Sequence, residues 1–363
     1  METRKVQKLG HSSVVVSLPK KWVNQVGLRP GDTVSIDTEN DFLKITPHLG
    51  AAADAEKAVR YVVNTDLISE AGLIERVLTG NFILGHDAVE LVSKKGRIRS
   101  EQLDEVRKVA NRLNGVGIVE QSLEFVTVQS FIDPTKFPVK GLIERLYVIL
   151  SSMLDAAILG ALEGDYDVIK EVSHMEDEVD RLYWLIVRQL LLSQRNREIA
   201  KAVGIESQLH IVGNRTIAKS LEEMGDRAEE IAGELLRWDK KDLLQNRDVL
   251  TDLKAMTDRV KKILDDSMRA LFTLDLKLAN NVIQEVGEIR FEVKSLDREI
   301  FKRISEALPA SILKTVLSNL VQFAEHLDTI AEITINRALE APSEICEWKE
   351  QGIGAAEQRV NQR

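Results

Sequence analysis

The sequence predicts a multidomain, mainly α-helical protein in three parts: a small N-terminal β module, a small α+β middle domain and a C-terminal pair of three-helix bundles. Three observations lead there. From Val139 to Leu308 there is no proline, and apolar residues recur at helical spacing throughout. Residues 1–48 instead alternate short β-prone runs with turns rich in Gly, Pro, Asn and Asp. Between them, residues 55–131 alternate β-prone and helical runs.

Composition narrows the classes of function. A chain of 363 residues, 44% hydrophobic, has room for about two or three domains. The single cysteine, Cys346, excludes an internal disulfide framework and suits a reducing compartment. No apolar run approaches the ~20 residues of a membrane span and no signal peptide precedes the first strand, so a cytoplasmic protein without membrane insertion is expected. The net charge of −9 is unevenly spread. Residues 1–31 carry Arg4, Lys5, Lys8, Lys20, Lys21 and Arg29 against Glu2 alone, a net +5 that leaves −14 on the rest. Such a body repels nucleic acid; only the head could bind it.

In chain order, residues 3–9 and 13–18 are β-prone and joined by Gly10-His11-Ser12, a strand-turn-strand pattern. Pro19 suits the first helical position of a short helix from Lys20 to Val26, and Gly27 suits its end. Pro30-Gly31-Asp32 turns into a strand over 33–38, and Glu39-Asn40-Asp41 into a strand over 42–46. So small a segment cannot bury a stable core alone, and intertwining with a second copy is the expected remedy.

Arg4-Lys-Val-Gln-Lys-Leu-Gly10, Ser17-Leu-Pro-Lys-Lys21 and Gly27-Leu-Arg-Pro-Gly-Asp-Thr-Val34 resemble the AbrB/MazE-type (SpoVT-AbrB) swapped-hairpin DNA-binding domain. The resemblance implies an interlaced dimer that presents basic side chains to DNA. Carried over position by position, these are Arg4, Lys5, Lys20 and Lys21, with His11 in the turn where a basic residue is expected. The competing reading is that the lysines only solubilise a dimerisation module.

In the middle domain, 57–64 reads as a strand and Leu67 to Leu78 as an amphipathic helix ended by Gly80. Ala88–Val92 reads as a strand, and Ser100 as the cap of a helix to Leu113 with Leu103, Val106, Val109 and Ala110 inward. Segments 115–120 and 125–129 are a further strand pair. No phosphate loop or metal-spaced His or Cys appears, so a spacer or second dimer contact is expected. After the Asp133–Pro138 linker, helices are expected near 139–163, 166–195, 205–238, 247–273, 276–306 and 311–340. Breaks are expected at Gly164-Asp165, Arg195-Asn196, Asp239 to Asp242, Thr273 to Asp275 and Pro309. These six are two copies of three: Ala161-Leu162 aligns with Ala270-Leu271, Glu178-Val179 with Glu288-Ile289, and Ile231-Ala232 with Ile330-Ala331. The repeats span 138–240 and 247–341, ahead of a polar tail, 342–363.

The body's chemistry concentrates on two helical stretches. In Ser220 to Ala232, Glu222, Asp226 and Glu229 share one face, with Leu221, Met224, Ala228 and Ile231 on another. In His174 to Leu182, Glu176 and Asp180 form a second such pair. Like charges at this spacing weaken an isolated helix by roughly 0.2–0.5 kcal/mol, so two neighbouring pairs suit a cation that prefers oxygen ligands. Charge runs on long helices are otherwise ordinary solvated faces.

Leu221-Glu-Glu-Met-Gly-Asp226 and Met175-Glu-Asp-Glu-Val-Asp-Arg-Leu182 resemble the PhoU family of phosphate-uptake regulators over residues 138–341. The resemblance implies two three-helix repeats and Glu/Asp-x-x-x-Asp motifs able to hold iron or zinc. It also implies repression of phosphate uptake together with a phosphate-specific ABC transporter. An AbrB-like head on such a body is similar to regulators found chiefly in archaea. The motifs fall on Glu176, Asp180, Glu222 and Asp226, so one site for Fe, Zn, Mn or Mg is expected. The second repeat departs: Val286, Gly287 and Arg290 stand opposite Glu176, Asp177 and Asp180, and Val321 and Glu325 opposite Glu222 and Asp226.

No enzyme is expected. A carboxylate-bridged di-iron bundle needs Glu-x-x-His on two helices, and only Glu171-Val-Ser-His174 supplies it. Nucleophile-elbow, Walker and zinc-protease motifs are missing. The expected function is a DNA-binding regulator of phosphate uptake, a homodimer or higher homo-oligomer that meets DNA through residues 1–48 and the transporter through its body. The alternative is an adaptor that docks on the transporter and uses the head only to dimerise.

Overall fold

The computed structural model describes residues 3–10, 13–39, 42–48, 61–304, 306–342 and 345–347. His11 and most of the polar tail, Trp348 included, lie outside them. The chain divides into two units, residues 1–60 and 61–363.

In the first unit, β1 (Gln7–Leu9) pairs antiparallel with β2 (Ser13–Val15), and β3 (Thr33–Glu39) with β4 (Phe42–His48). Among the described residues the two hairpins form separate sheets. β1 and β2 are shorter than the runs 3–9 and 13–18, because each strand has one partner and the ladder stops where the hairpin does. Helix α1 (Lys20–Val26) takes Pro19 as its N-cap rather than its first residue. Gly27, left-handed at φ 73°, closes α1 by donating its N–H to the Val23 carbonyl. Of the side chains described in this unit none is buried: Val14 is 68% exposed, and Val6, Leu9, Val16, Ile36 and Leu43 are also open.

The second unit begins with a four-stranded sheet of order β5 (Tyr61–Asn64), β6 (Ala88–Val92), β8 (Phe125–Ser130), β7 (Val116–Gln121). β5 and β6 are parallel and the other pairs antiparallel, with a bulge in β7 between Ile118 and Glu120. Alternate residues Val89, Leu91, Val126 and Val128 are buried together with Leu78 and Phe82 of α2 (Leu73–Ile83) and Val106 and Val109 of α3 (Ser100–Arg112).

The helix expected over 67–78 is displaced. Residues Thr65–Leu67 form a 3₁₀ turn, because the Asp66 carboxylate accepts from Ser93 Oγ at 2.7 Å and the Lys94 and Lys95 amides at 2.8 and 3.1 Å. Helix α2 then starts after Gly72 and carries Gly80 in its interior, since Leu78 and Phe82 on either side are buried. Ser100 is the first residue of α3, not its cap; the Arg99 amide donates to Gln102 Oε1 at 3.1 Å.

Six long helices follow: α4 (Val139–Glu163), α5 (Tyr166–Arg195), α7 (Leu209–Leu236), α9 (Arg247–Thr273), α10 (Leu276–Arg303) and α11 (Ala307–Ala338). Two expected breaks contain short helices, α6 (Arg197–Ala202) and α8 (Lys240–Gln245), capped by the Asn196 and Asp239 side chains. Pro309 does not precede the last helix. It lies in the first turn of α11, where no amide donor is needed. The turns after α4 and α9 match: the Asp165 amide bonds Gly160 O at 2.8 Å and the Asp275 amide bonds Ala270 O at 3.1 Å. Gly160 thus corresponds to Ala270, one residue off the alignment expected from Ala161. Both turns pass through a left-handed residue, Gly164 (φ 68°) in one and Leu274 (φ 55°) in the other.

Helices α4, α5 and α7 pack as one bundle and α9, α10 and α11 as a second, joined by α7 against α11 and α4 against α9. Helix α4 is long and apolar enough to cross a membrane by length and composition, contrary to the expectation from run length. Its Leu142, Leu146, Leu150, Met153 and Leu154 are instead buried in this bundle core. The middle domain packs on α5 through α2 and α3.

Candidate functional site on the acidic face of the first bundle

Helices α5 and α7 approach closely because Gly225 faces Val179: a Cβ on Gly225 would lie 3.0 Å from Val179 Cγ1. That is the spatial reason for the glycine in Leu221 to Asp226. Asp180, one residue beyond Val179, is 6% exposed. Glu222, one turn before Gly225, is buried as well. Glu176, Asp226 and Glu229 are half-buried beside them. The fold puts Asp180 and Asp226 within reach of the charge of both Glu176 and Glu222.

Burial is the first cause that pushes the Glu176 carboxyl up to about 8, and the charges of Asp180, Glu229, Asp226 and Asp177 add to it. Burial also raises Glu222, against the opposing hydrogen bond and charge of Lys219. Asp226 is raised by burial and by Asp180 and Glu229, against Lys219 and Arg227. Ser173 Oγ donates to Glu229 at 2.7 Å.

Two cations already serve this face. Lys219 pairs with Glu222 and, at 3.4 Å, with Glu223. Arg112, the last residue of α3 in the middle domain, pairs with Asp180 and with Glu75 of α2 at 2.9 Å. Burial pulls the Arg112 guanidinium down, but Asp180 and Glu75 outweigh it and hold it above its ordinary value. Sequence reasoning missed Arg112. Its only signal is a basic residue in the last turn of a helix, which the helix dipole favours anyway.

Among the described residues no group of three or more His, Cys, Asp or Glu side chains is close enough to ligate one ion. The donors are all carboxylate oxygens, which suit Mg, Mn, Ca or oxygen-bound Fe, and Glu176 carries uncompensated repulsion that a cation would relieve. In chemistry the set suits such an ion; in arrangement it does not fit one, because these carboxylates are not gathered around one point and Arg112 and Lys219 hold two of the four. His174 and Glu171 are exposed on α5.

The second bundle resolves the same electrostatic problem internally. Arg290 on α10 donates to Glu325 at 2.8 Å and to Asp328 at 2.8 Å on α11. These two acids stand where Asp226 and Glu229 stand in the first bundle. Val286, opposite Glu176, is fully buried.

In the head, Arg4 and Lys5 precede β1 and Lys20 and Lys21 open α1, all exposed. The Asp32 carboxylate accepts the Arg29 amide at 2.7 Å and holds the turn into β3.

The family matches agree with this architecture. The family described as PhoU domain matches residues 143–235 and again 253–338. The family described as antidote-toxin recognition MazE, bacterial antitoxin, matches residues 7–50. A solved structure, PhoU from Pseudomonas aeruginosa, is similar over 56% of this chain and 96% of its own at 19% identity and a TM-score of 0.47. No curated protein matches the chain. The chain thus carries two tandem PhoU domains behind an N-terminal MazE-type domain.

Proposed function

We propose that the protein is a cytoplasmic DNA-binding regulator of phosphate uptake, acting as a homodimer or higher homo-oligomer. Its head grips DNA as an interlaced pair, and its helical body docks on phosphate-transport components and relays their state. One observation carries the reading: the head combines exposed apolar strands with exposed Arg4, Lys5, Lys20 and Lys21 in one small module. Val6, Leu9, Val14, Ile36 and Leu43 need a partner surface. A second copy of the same hairpins supplies one while leaving the cations to face phosphates.

The body's part is electrostatic. Glu176, Asp180, Glu222 and Asp226 concentrate negative charge on one face, balanced in part by Arg112 on Asp180 and Lys219 on Glu222, and Glu176 there resists ionisation. No catalytic step is assigned to the chain.

The test is a genome-wide binding map in phosphate-rich and phosphate-starved cells. Enrichment at phosphate-transport promoters in one condition supports the regulator. Absence of DNA enrichment, with the transporter retained as a bound partner, supports the adaptor reading instead.

A further inference from the structure

We propose that the end of the middle domain formed by Leu67, Leu123 and the loop Lys94–Arg99 docks on the surface of an anionic lipid bilayer. The inference is independent of the regulator reading, since neither the head nor the acidic face of the first bundle takes part.

The sequence places four cations in six residues, Lys94-Lys-Gly-Arg-Ile-Arg99, with no acid among them. The fold presents them outward. Ser93 and Ile98 are buried and pin the loop, and Gly96 turns it at φ 86°. The side chains of Lys94, Lys95, Arg97 and Arg99 are exposed. Lys94, Lys95 and Arg97 make no ion pair among the described residues. Asp66 turns its oxygens onto Ser93 Oγ and the Lys94 and Lys95 amides, not onto the ammonium groups.

Two aliphatic side chains flank these cations. Leu67 is 80% exposed and Leu123 is 72% exposed. Leu67 ends the 3₁₀ turn that Asp66 fastens to the loop, and the Leu123 carbonyl accepts the Ile98 amide at 2.8 Å. All three segments leave the same end of the sheet, where parallel β5 and β6 finish and β7 turns into β8. β5 and β8 are two strand spacings apart, about 10 Å, so the leucines and the cations meet one surface together. A single exposed leucine is ordinary, but two beside a cation cluster suit a bilayer boundary, with the leucines in the acyl edge and the cations at the headgroups.

Charge and chemistry together select this occupant. Anionic headgroups attract Lys and Arg lying within a Debye length, about 8 Å. The acidic face of the first bundle lies at the other end of α3, about 18 Å away, and is screened from the loop. Glu70, Glu101 and Glu124 are exposed closer by and offset part of the attraction, so the contact needs the leucines as well. Duplex DNA would attract the same cations, but its phosphates give aliphatic side chains no partner, and base stacking uses aromatic ones.

The test is co-sedimentation of the full-length protein with vesicles of phosphatidylcholine alone, or with about one-third phosphatidylglycerol, at low and high salt. Lys94→Gln/Lys95→Gln and Leu67→Ser/Leu123→Ser alter the surface, and Lys277→Gln/Lys314→Gln removes two exposed cations elsewhere. The lysine variant keeps its turn because Asp66 is held by backbone amides there, and circular dichroism melts verify the folding of all three. The parent should bind the anionic vesicles and not the neutral ones, more weakly in high salt. Each surface variant should lose about ten-fold in affinity and the control none. No binding by the parent, or binding that both surface variants retain, overturns the proposal, the second result assigning the contact to the head. Loss with the lysine variant alone also overturns it and leaves a polyanion as the partner, which competition by duplex DNA identifies.

Discussion

The uncompensated charge of Glu176 gives a stability effect whose sign reverses common intuition about conserving a carboxylate. The unfolded chain releases this proton near 4.5, whereas the folded protein holds it to about 8. Folding therefore retains a proton throughout that window, and stability falls as pH rises through it. In a fully enclosed site the displacement would be worth about 5 kcal/mol. The Glu176 carboxyl is only half-buried, so solvent screening leaves about 2 kcal/mol. Glu176→Gln keeps the shape and removes the ionisation. It should leave stability unchanged at about pH 5 and raise it by about 2 kcal/mol near pH 8.5, with metal chelated in both buffers. Urea unfolding followed by circular dichroism at the two pH values measures this. A variant no more stable than the parent at the higher pH, or shifted equally at both, refutes the electrostatic account of the face.

Further outcomes follow from other parts of the chain. Leu274 occupies a left-handed turn residue where its counterpart is Gly164, so Leu274→Gly should stabilise the protein by roughly 1 kcal/mol, read as a raised melting temperature. At Gly225, alanine gains about 1 kcal/mol of helix propensity but presses on Val179, so Gly225→Ala should be nearly neutral. Gly225→Val adds methyls with nowhere to go and should cost about 2 kcal/mol or more in the same melt. In the head, Val14→Asp places a charge on an exposed apolar strand and should shift the protein to a smaller assembly in light scattering. Replacing Arg4 or Lys20 with alanine should each flatten the slope of log affinity for DNA against log salt by about one. An unchanged slope removes that residue from the phosphate contacts.

Most of the helical architecture was legible because the relevant interactions are local. The bounds of α4 and α5 match the periodic runs, since Gly164-Asp165 and Asn196 signal their ends within a few residues of chain. The α2 boundary was not, because the Asp66 turn depends on Ser93, Lys94 and Lys95, brought close by β6. Pro309 misled for the opposite reason: one local signal fits both a break and a first turn.

By itself, then, the sequence determined the helical periodicity, the doubled body and the charge contrast between head and body, because these are set by side chains within a few turns of one another. It also determined that Glu176, Asp180, Glu222 and Asp226 share helix faces. Only the tertiary structure decided how that charge is balanced. Arg112 reaches Asp180 because α3 packs on α5, and Arg290 meets Glu325 and Asp328 because α10 packs on α11. Ion pairs between distant segments depend on where whole helices pack, which no local pattern in the chain records.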